Sequence, residues 1–561
     1  MSRQAYDKIN KELIPIAGLD VIDSAPTQNS THAVSSGGVY SALHNLEIND
    51  LTNVNTSSLV DGQVLKYNGT SQQWENGTGG GSGSGGSVLD FTTTFASLFS
   101  TTITIICGDI TETVTLDSEG KGTLDGFMGT GTVTVIFGTD NFERYFEVPY
   151  FGHYSFELKP YIVYGFHVNG NNSDPNTSVT YLDDCDNASF ESAYMNYSKG
   201  VFDYGDWEDA FFMPKPCLLR QDGTVYCYLN PDDYTKDIDG NDVSTYLTGT
   251  TGTMNAMMEW GQNGRKIYYK IVNDESSTKS ASVYIADYPV DEDFVCWSFY
   301  DWNDDLADHF YTPIYNGSVV SNVLRSISGK SILNDVAGTT EITYATANGT
   351  GWYTETLADR ILINFLLILM GKSLDTQTIF GNGHYTGGSS ASNLLKTGTM
   401  NTRGLFYGTN GTGVGVKVFG MENWWGNLWR RIAGWINVSR TQKIKLTYGT
   451  QDGSTVTGYN TTGTNYLTLS SATPSGTSGG YISEVQFNEY GLFPKVASGS
   501  SSTYYCDGLW FNNEQPNYAF VGGYCNRGLL VGAFCSYLSN AVSVPDWSVG
   551  AALSYHGNNN I

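Results

Sequence analysis

ENWWGNLWRRIAGW, residues 422–435, carries four tryptophans and two arginines in fourteen residues. At about 100° per residue, Met421, Trp425, Leu428, Trp429, Ile432 and Ile436 fall within one arc, and Trp424 and Trp435 lie on its shoulder. Asn423, Asn427, Arg430 and Gly434 face the other way. The spacing predicts a helix whose apolar stripe is structural core, centred on Trp425, Leu428, Trp429 and Ile432. A membrane wedge would need a basic polar face over the same length, which an acidic chain does not favour.

The rest of the composition agrees with a core role for this stretch. The chain has 561 residues, 29 Lys and Arg against 56 Asp and Glu, and a net charge of −27. Such a field repels nucleic acid and anionic lipid, so neither nucleic-acid binding nor membrane insertion is expected. With 65 glycines, 38 tyrosines and only 15% charged residues, the chain has the make-up of a turn-rich β protein. The length calls for several folding units. Cysteines 107, 185, 217, 227, 296, 506, 525 and 535 include no Cys-x-x-Cys pair, so they are expected to be free thiols of a protein made in a reducing cytoplasm. The N-terminus lacks the apolar core of a secretory signal. ILINFLLILM, residues 361–370, is about half of a bilayer span.

Punctuation divides the chain. Residues 3–13 are expected to form a short helix with Tyr6, Ile9 and Leu13 on one face, and VSSGGVYSALHNLE a second, with Val39, Leu43 and Leu46. Together, residues 1–46 would be an N-terminal anchoring or oligomerisation segment, because helices so short need a partner. Residues 47–76 form a small β module with paired strands in GQVLKYN and QQW, and the Gly/Ser-rich linker 77–87 spans roughly 18 Å. Residues 88–158 alternate apolar and polar in TTITIIC, ITETVTL, GTVTVIFG, RYFEVPYFG and HYSFEL, which predicts a small immunoglobulin-like β-sandwich acting as a spacer. From 159 to 561 scattered strands and two helices predict an α+β unit. The first of those helices, TETLADRILINFLLILMGK, is expected to start at an N-cap Thr354 with Glu355 in its first turn and to end at Gly371 and Lys372. The fold class is therefore multidomain and mainly β with some α.

Candidate chemistry is sparse. Asp301, Asn303 and Asp305 have calcium-loop spacing, but Leu306 and Thr312 stand where that loop needs glycine and glutamate, so a solvated acidic turn is expected. Asp237, Asp239 and Asp242 fit a hairpin turn. No cofactor, metal or catalytic residue is assigned, and the chain is not expected to be an enzyme.

GMENWWGNLWRRIAGW resembles the Gly-Asn-x-Trp-x-Trp helix region of the C-type-lectin-like fold of formylglycine-generating enzymes and diversified phage receptor-binding proteins. RGLFYGTNGTGVGVKVFGMENWWGN has the same look. GGYCNRGLLVGAFCSYLSNAVSVPDWSVGAALSY is similar to the closing strands of phage tail proteins. APTQNSTHAVSSGGVYSAL and LTNVNTSSLVDGQVLKYNGTSQQWENG resemble segments of phage fibres, and the likenesses together cover about two-thirds of the chain. They do not extend to enzyme chemistry, because Cys525 and Cys535 are not a close copper-binding pair. The resemblance implies a virion-surface fibre protein, trimeric by family habit rather than by any residue, anchored to other virion proteins through its N-terminus. Its lectin-like C-terminal domain would bind a host surface glycan or protein receptor. Candidate ligand-binding residues are Trp510, Asn512, Asn513, Tyr524, Asn526, Arg527, Ser536, Tyr537 and Asn540, a mixture of flat apolar faces and directional hydrogen-bonding groups. Phe511 and Phe534 lie in the same segment, and about half of these residues, Phe534 and Trp510 above all, fit core equally well. Two alternatives stand beside this reading: a capsule-polysaccharide depolymerase, and a capsid decoration fibre with secondary adhesion.

Overall fold

The computed structural model describes six short strand segments ahead of residue 86, and then residues 86–557 apart from 139–141, 276, 514 and 515. The chain is mainly β, with several sheets and a smaller share of helix. It divides into two compact units, one of Met1–Val133 with Glu147–Glu157, the other of Thr134–Phe146 with Leu158–Ile561.

Near the N-terminus, Gln4–Asp7 pairs antiparallel with Glu12–Pro15 in place of the expected helix over residues 3–13. Tyr6 is the register partner of Leu13, and Ile9 lies outside the described residues. Eleven residues are too few for helical propensity to prevail alone. The second expected helix, with Val39, Leu43 and Leu46, lies outside the described residues. The hairpin read in residues 47–76 is present as Val64–Asn68 against Gln73–Gly77.

Between residues 87 and 157 the strands form two sheets, one of three strands and one of four. Thr102–Cys107, Ile110–Thr115, Gly131–Phe137, Phe142–Val148 and His153–Glu157 coincide with the alternating runs read from the sequence. Ser87–Thr92 and Lys121–Phe127 are additional. The alternation buries Leu89, Phe91, Ile103, Ile105, Val133 and Val135.

The second unit is built around the helix Leu357–Gly371, of which every residue except Asn364 is buried. It begins two residues later than the sequence suggested. The Thr356 hydroxyl, not that of Thr354, accepts the Asp359 N–H, and Lys372 closes the helix in a left-handed conformation. Thr354 instead ends the strand Trp352–Thr354. A seven-stranded sheet runs Asp233–Asp237, Val225–Asn230, Lys215–Leu219, Asn255–Trp260, Phe310–Pro313, Leu553–Tyr555, Trp352–Thr354. A ten-stranded sheet has Trp429–Val438 and Asn517–Val521 side by side, followed by Ser536–Leu538 and Gly508–Phe511.

The opening stretch is not a helix. Residues 423–428 are turns, and Trp429–Val438 is a strand inside the ten-stranded sheet. Asn423, Gly426 and Asn427 all take positive φ, 56°, 72° and 60°, which a right-handed helix does not allow. Further on, register shifts between Arg431 and Ile436, where Gly434 at φ 86° forms a bulge. A Cβ on Gly434 would sit 2.1 Å from the Lys445 carbonyl oxygen. The core assignment holds: Trp425, Leu428, Trp429 and Ile432 are buried. So are Asn423, Asn427 and Arg430, which the helical reading set on the opposite side: Arg430 lies in the strand, which is covered on both faces, and Asn423 and Asn427 lie in the buried turns before it.

Burying arginine here requires partners. Arg430 Nη1 lies 3.0 Å from Glu355 Oε2, and its Nη2 donates to the carbonyls of Glu422 and Asn423. Arg360, on the long helix, shares Glu355 at 3.5 Å and stacks 4.1 Å from the Trp424 ring centre. Burial pulls the Arg360 guanidinium down to about 10, and the Glu355 carboxylate works in the opposite direction. Arg431 reaches Glu341 at 2.6 Å.

Asp301 Oδ1 accepts the backbone N–H groups of Asn303 and Asp305, and Asp237 accepts those of Asp239 and Asn241, so both acidic runs are turns closed by their own carboxylates, but Asp301 is buried rather than solvated and its Oδ2 has no partner among the described residues. All eight cysteines are free thiols, six of them buried. Among the described residues no helix is long and apolar enough to cross a membrane.

Candidate binding face around Arg527

Three neighbouring strands set a row of rings on one face of the ten-stranded sheet. Trp510 is the register partner of Tyr537, and Tyr537 that of Phe520. Lateral partners in a sheet project to the same side. Tyr537 accordingly stacks on Phe520 at 5.6 Å and on Trp510 at 6.0 Å. Trp429, the first residue of the adjoining strand Trp429–Val438, meets Trp510 edge-on at 5.7 Å and Tyr537 at 5.6 Å. Trp429 and Phe520 are buried and form the floor, while Trp510, Tyr524 and Tyr537 are half-buried.

The segment after Asn517–Val521 returns over this row. Gly522 and Gly523 both have φ of 83°, and a Cβ on Gly523 would lie 2.6 Å from Val531 Cγ1, so the sharp turn depends on glycine. The turn is pinned to the tryptophan-rich stretch, where Gly426 N–H donates to the Gly522 carbonyl and Cys525 N–H to that of Asn427. Tyr524 and Arg527 are thereby fixed above the sheet. The Arg527 guanidinium carbon lies 5.0 Å from the ring centres of both Trp510 and Tyr524. Each contact of this kind contributes about 0.5–1 kcal/mol at a partly exposed site. Arg527 makes no ion pair with a described residue, and its buried Nε has no hydrogen-bond partner among them. Trp547, which sequence reasoning missed, closes one side by meeting Tyr524 edge-on at 5.4 Å. It lies ten residues beyond Tyr537 in a turn, and the sequence marks it only as the start of the W-x-x-G-A-x-L closing-strand pattern, not as a site residue.

Of the nine residues expected to bind ligand, four converge: Trp510, Tyr524, Arg527 and Tyr537. Asn540 is joined to them by the Tyr537 hydroxyl at 3.5 Å. Asn512 serves the scaffold, donating to the Ser539 carbonyl and accepting from Asn517. Asn513 and Asn526 are exposed, and Asn526 bridges to Thr386 through its backbone. Ser536 is a correction: it is 2% exposed and its hydroxyl donates to the Phe534 carbonyl, so an external ligand cannot reach it. It alternates inward from Tyr537, as adjacent strand residues must. Phe511 and Phe534 are core.

Chemically, the face offers planar apolar surfaces beside a guanidinium that no carboxylate among the described residues neutralises. Such a surface can hold a ring by its C–H face while Arg527 donates to an oxygen of the same ligand. No family model matches the chain, and no curated protein matches it.

Proposed function

We propose that this chain is a structural fibre protein of a phage particle that binds a host cell-surface glycan or protein through its C-terminal unit. In this reading residues 88–158 are an immunoglobulin-like spacer and residues 159–561 a C-type-lectin-like domain. The N-terminal segment attaches the chain, as a trimer, to other virion proteins. The observation that carries the proposal is the cluster of Trp510, Tyr524 and Tyr537 around Arg527, half-exposed on a rigid sheet and held there by glycine turns. Weak single sites become effective when several copies engage one surface. The test is binding of the full-length chain to host cells, with Arg527→Ala and Tyr524→Ala compared against wild type. Loss of cell binding with unchanged melting temperature supports the proposal, and wild-type binding by both variants sinks it.

A further inference from the structure

A second concavity in the same unit, of about 300 Å3, is lined by Tyr197, Asp375, Thr378, Asn382, Asn410 and Ser501, with Gln377 and Leu529. That volume is at the lower end of small-ligand sites. Its shape is fixed from several directions. Asp375 caps the short helix Thr376–Phe380, accepting both the N–H and the hydroxyl of Thr378. The Tyr197 hydroxyl is held at the Gln377 and Thr378 carbonyls, at 3.1 and 2.9 Å, which fixes the ring as a wall. Asn382 donates to the Asn410 carbonyl, joining two loops far apart in sequence.

The polar groups left over define what fits. The Asn410 carboxamide makes no hydrogen bond to a described residue and is exposed, and the Asn382 carboxamide keeps its oxygen. Thr378 Oγ1 donates to Asp375 and so retains acceptor capacity, and each Asp375 oxygen accepts one of the two bonds from Thr378, with the Cys506 thiol also hydrogen-bonded to this carboxylate. Deeper in, Gln377 is 4% exposed, its Nε2 is used by Asp507 and the Leu529 carbonyl, and its buried Oε1 has no partner. No lysine or arginine lines the groove, so phosphate and carboxylate ligands have no counter-charge there. Mixed donors and acceptors from carboxamides, a hydroxyl and one carboxylate, beside an aromatic wall, match vicinal hydroxyls on a ring with one apolar face.

We propose that this groove binds a neutral, hydroxyl-rich sugar unit. It is distinct in residues from the face around Arg527, and it rests on the reading of the chain as a glycan binder only for its biological context.

The test is saturation-transfer NMR and calorimetry on the full-length chain with free glucose, galactose, mannose, N-acetylglucosamine and their disaccharides, with inorganic phosphate and calcium chloride as comparison probes. Wild type should bind at least one neutral sugar saturably, unaffected by EDTA. Asn410→Ala should weaken binding about fivefold, the effect of one lost hydrogen bond. Asn410→Trp, at an exposed position, should abolish it by filling the groove, while Arg527→Ala retains it. No saturable binding by any sugar in the panel overturns the proposal, as does wild-type affinity in Asn410→Trp. Loss of binding in Arg527→Ala but not in Asn410→Trp would assign the sugar to the aromatic face. Saturable binding of phosphate or calcium alone would make this an ion site and overturn the sugar assignment. Host-cell binding by Asn410→Trp separates the two readings, since the aromatic face should keep working when the groove is filled.

Discussion

Arg430 and Arg527 each lie against a tryptophan, at 5.3 Å from Trp424 and 5.0 Å from Trp510, yet their surroundings are opposite. Arg430 is 1% exposed, and its terminal nitrogens are consumed by Glu355 and two carbonyls. Arg527 is half-buried, without an ion pair among the described residues. The same pair of side-chain types is therefore a structural pin in one place and an open recognition element in the other. What separates them is whether the chain supplies a carboxylate. A guanidinium with its own carboxylate is committed to the fold, and one without can still be offered to a ligand.

The sharpest way to break this contrast is Glu355→Ala. It would leave Arg360 and Arg430 buried without their shared counter-charge, and a loss of about 3–5 kcal/mol is expected in chemical denaturation. A loss under about 1 kcal/mol would mean that water or carbonyls suffice to hold these arginines. Trp425→Ala comes next. This ring is fully buried, donates to the Gly381 carbonyl and should also cost about 3–5 kcal/mol. A stable Trp425→Ala protein that has lost only binding would turn the opening stretch from core into site.

A smaller effect is expected at Asp507, whose carboxylate sits behind the binding segment, accepting the Phe534 N–H at 2.7 Å and the Gln377 amide. Burial pushes this carboxyl well above the usual range. A group raised in the folded state holds a proton that the unfolded chain releases. Its contribution is complete below the ordinary carboxylate range and is lost as pH rises from there toward its folded value. Asp507→Asn keeps an acceptor for Phe534 but cannot ionise. Relative to wild type it should gain stability between pH 4 and pH 7, read as a difference in melting temperature at the two values. An unchanged difference would show that Asp507 is ionised in the folded chain. The least change in stability belongs to Arg527→Ala, about 1–2 kcal/mol, because it removes only two partly exposed ring contacts. A much larger loss would make Arg527 another structural pin and remove the contrast.

How far the sequence could be read differed by region for a physical reason. In residues 87–157 strands with one covered face leave a period-two record, and five of the seven were visible. Ser87–Thr92 was hidden because it begins inside the Gly/Ser run, and Lys121–Phe127 because glycines dilute its alternation. Trp429–Val438 leaves no such record. With both faces covered, every residue from Trp429 to Asn437 is buried, and the spacing of its large side chains imitated a helix. The positive φ at Asn423, Gly426 and Asn427 was the available warning, since Asn and Gly are the residues that adopt it. At the candidate site, Trp510, Tyr524, Arg527 and Tyr537 were legible as a composition. Ser536 was not separable from Tyr537 until strand alternation placed it inward.

The sequence by itself determined that the chain is mainly β, that residues 422–435 are core, and that an aromatic and Asn-rich segment follows a hundred residues later. Tertiary structure decided the rest. Glu355 became the partner of Arg430 from seventy-five residues away, Arg527 was set between two rings with no ion pair among the described residues, and Asn382 and Asn410 met across a groove. Composition and periodicity record which faces are covered, whereas pairing across loops depends on where the folded backbone brings distant residues, and no local pattern encodes that.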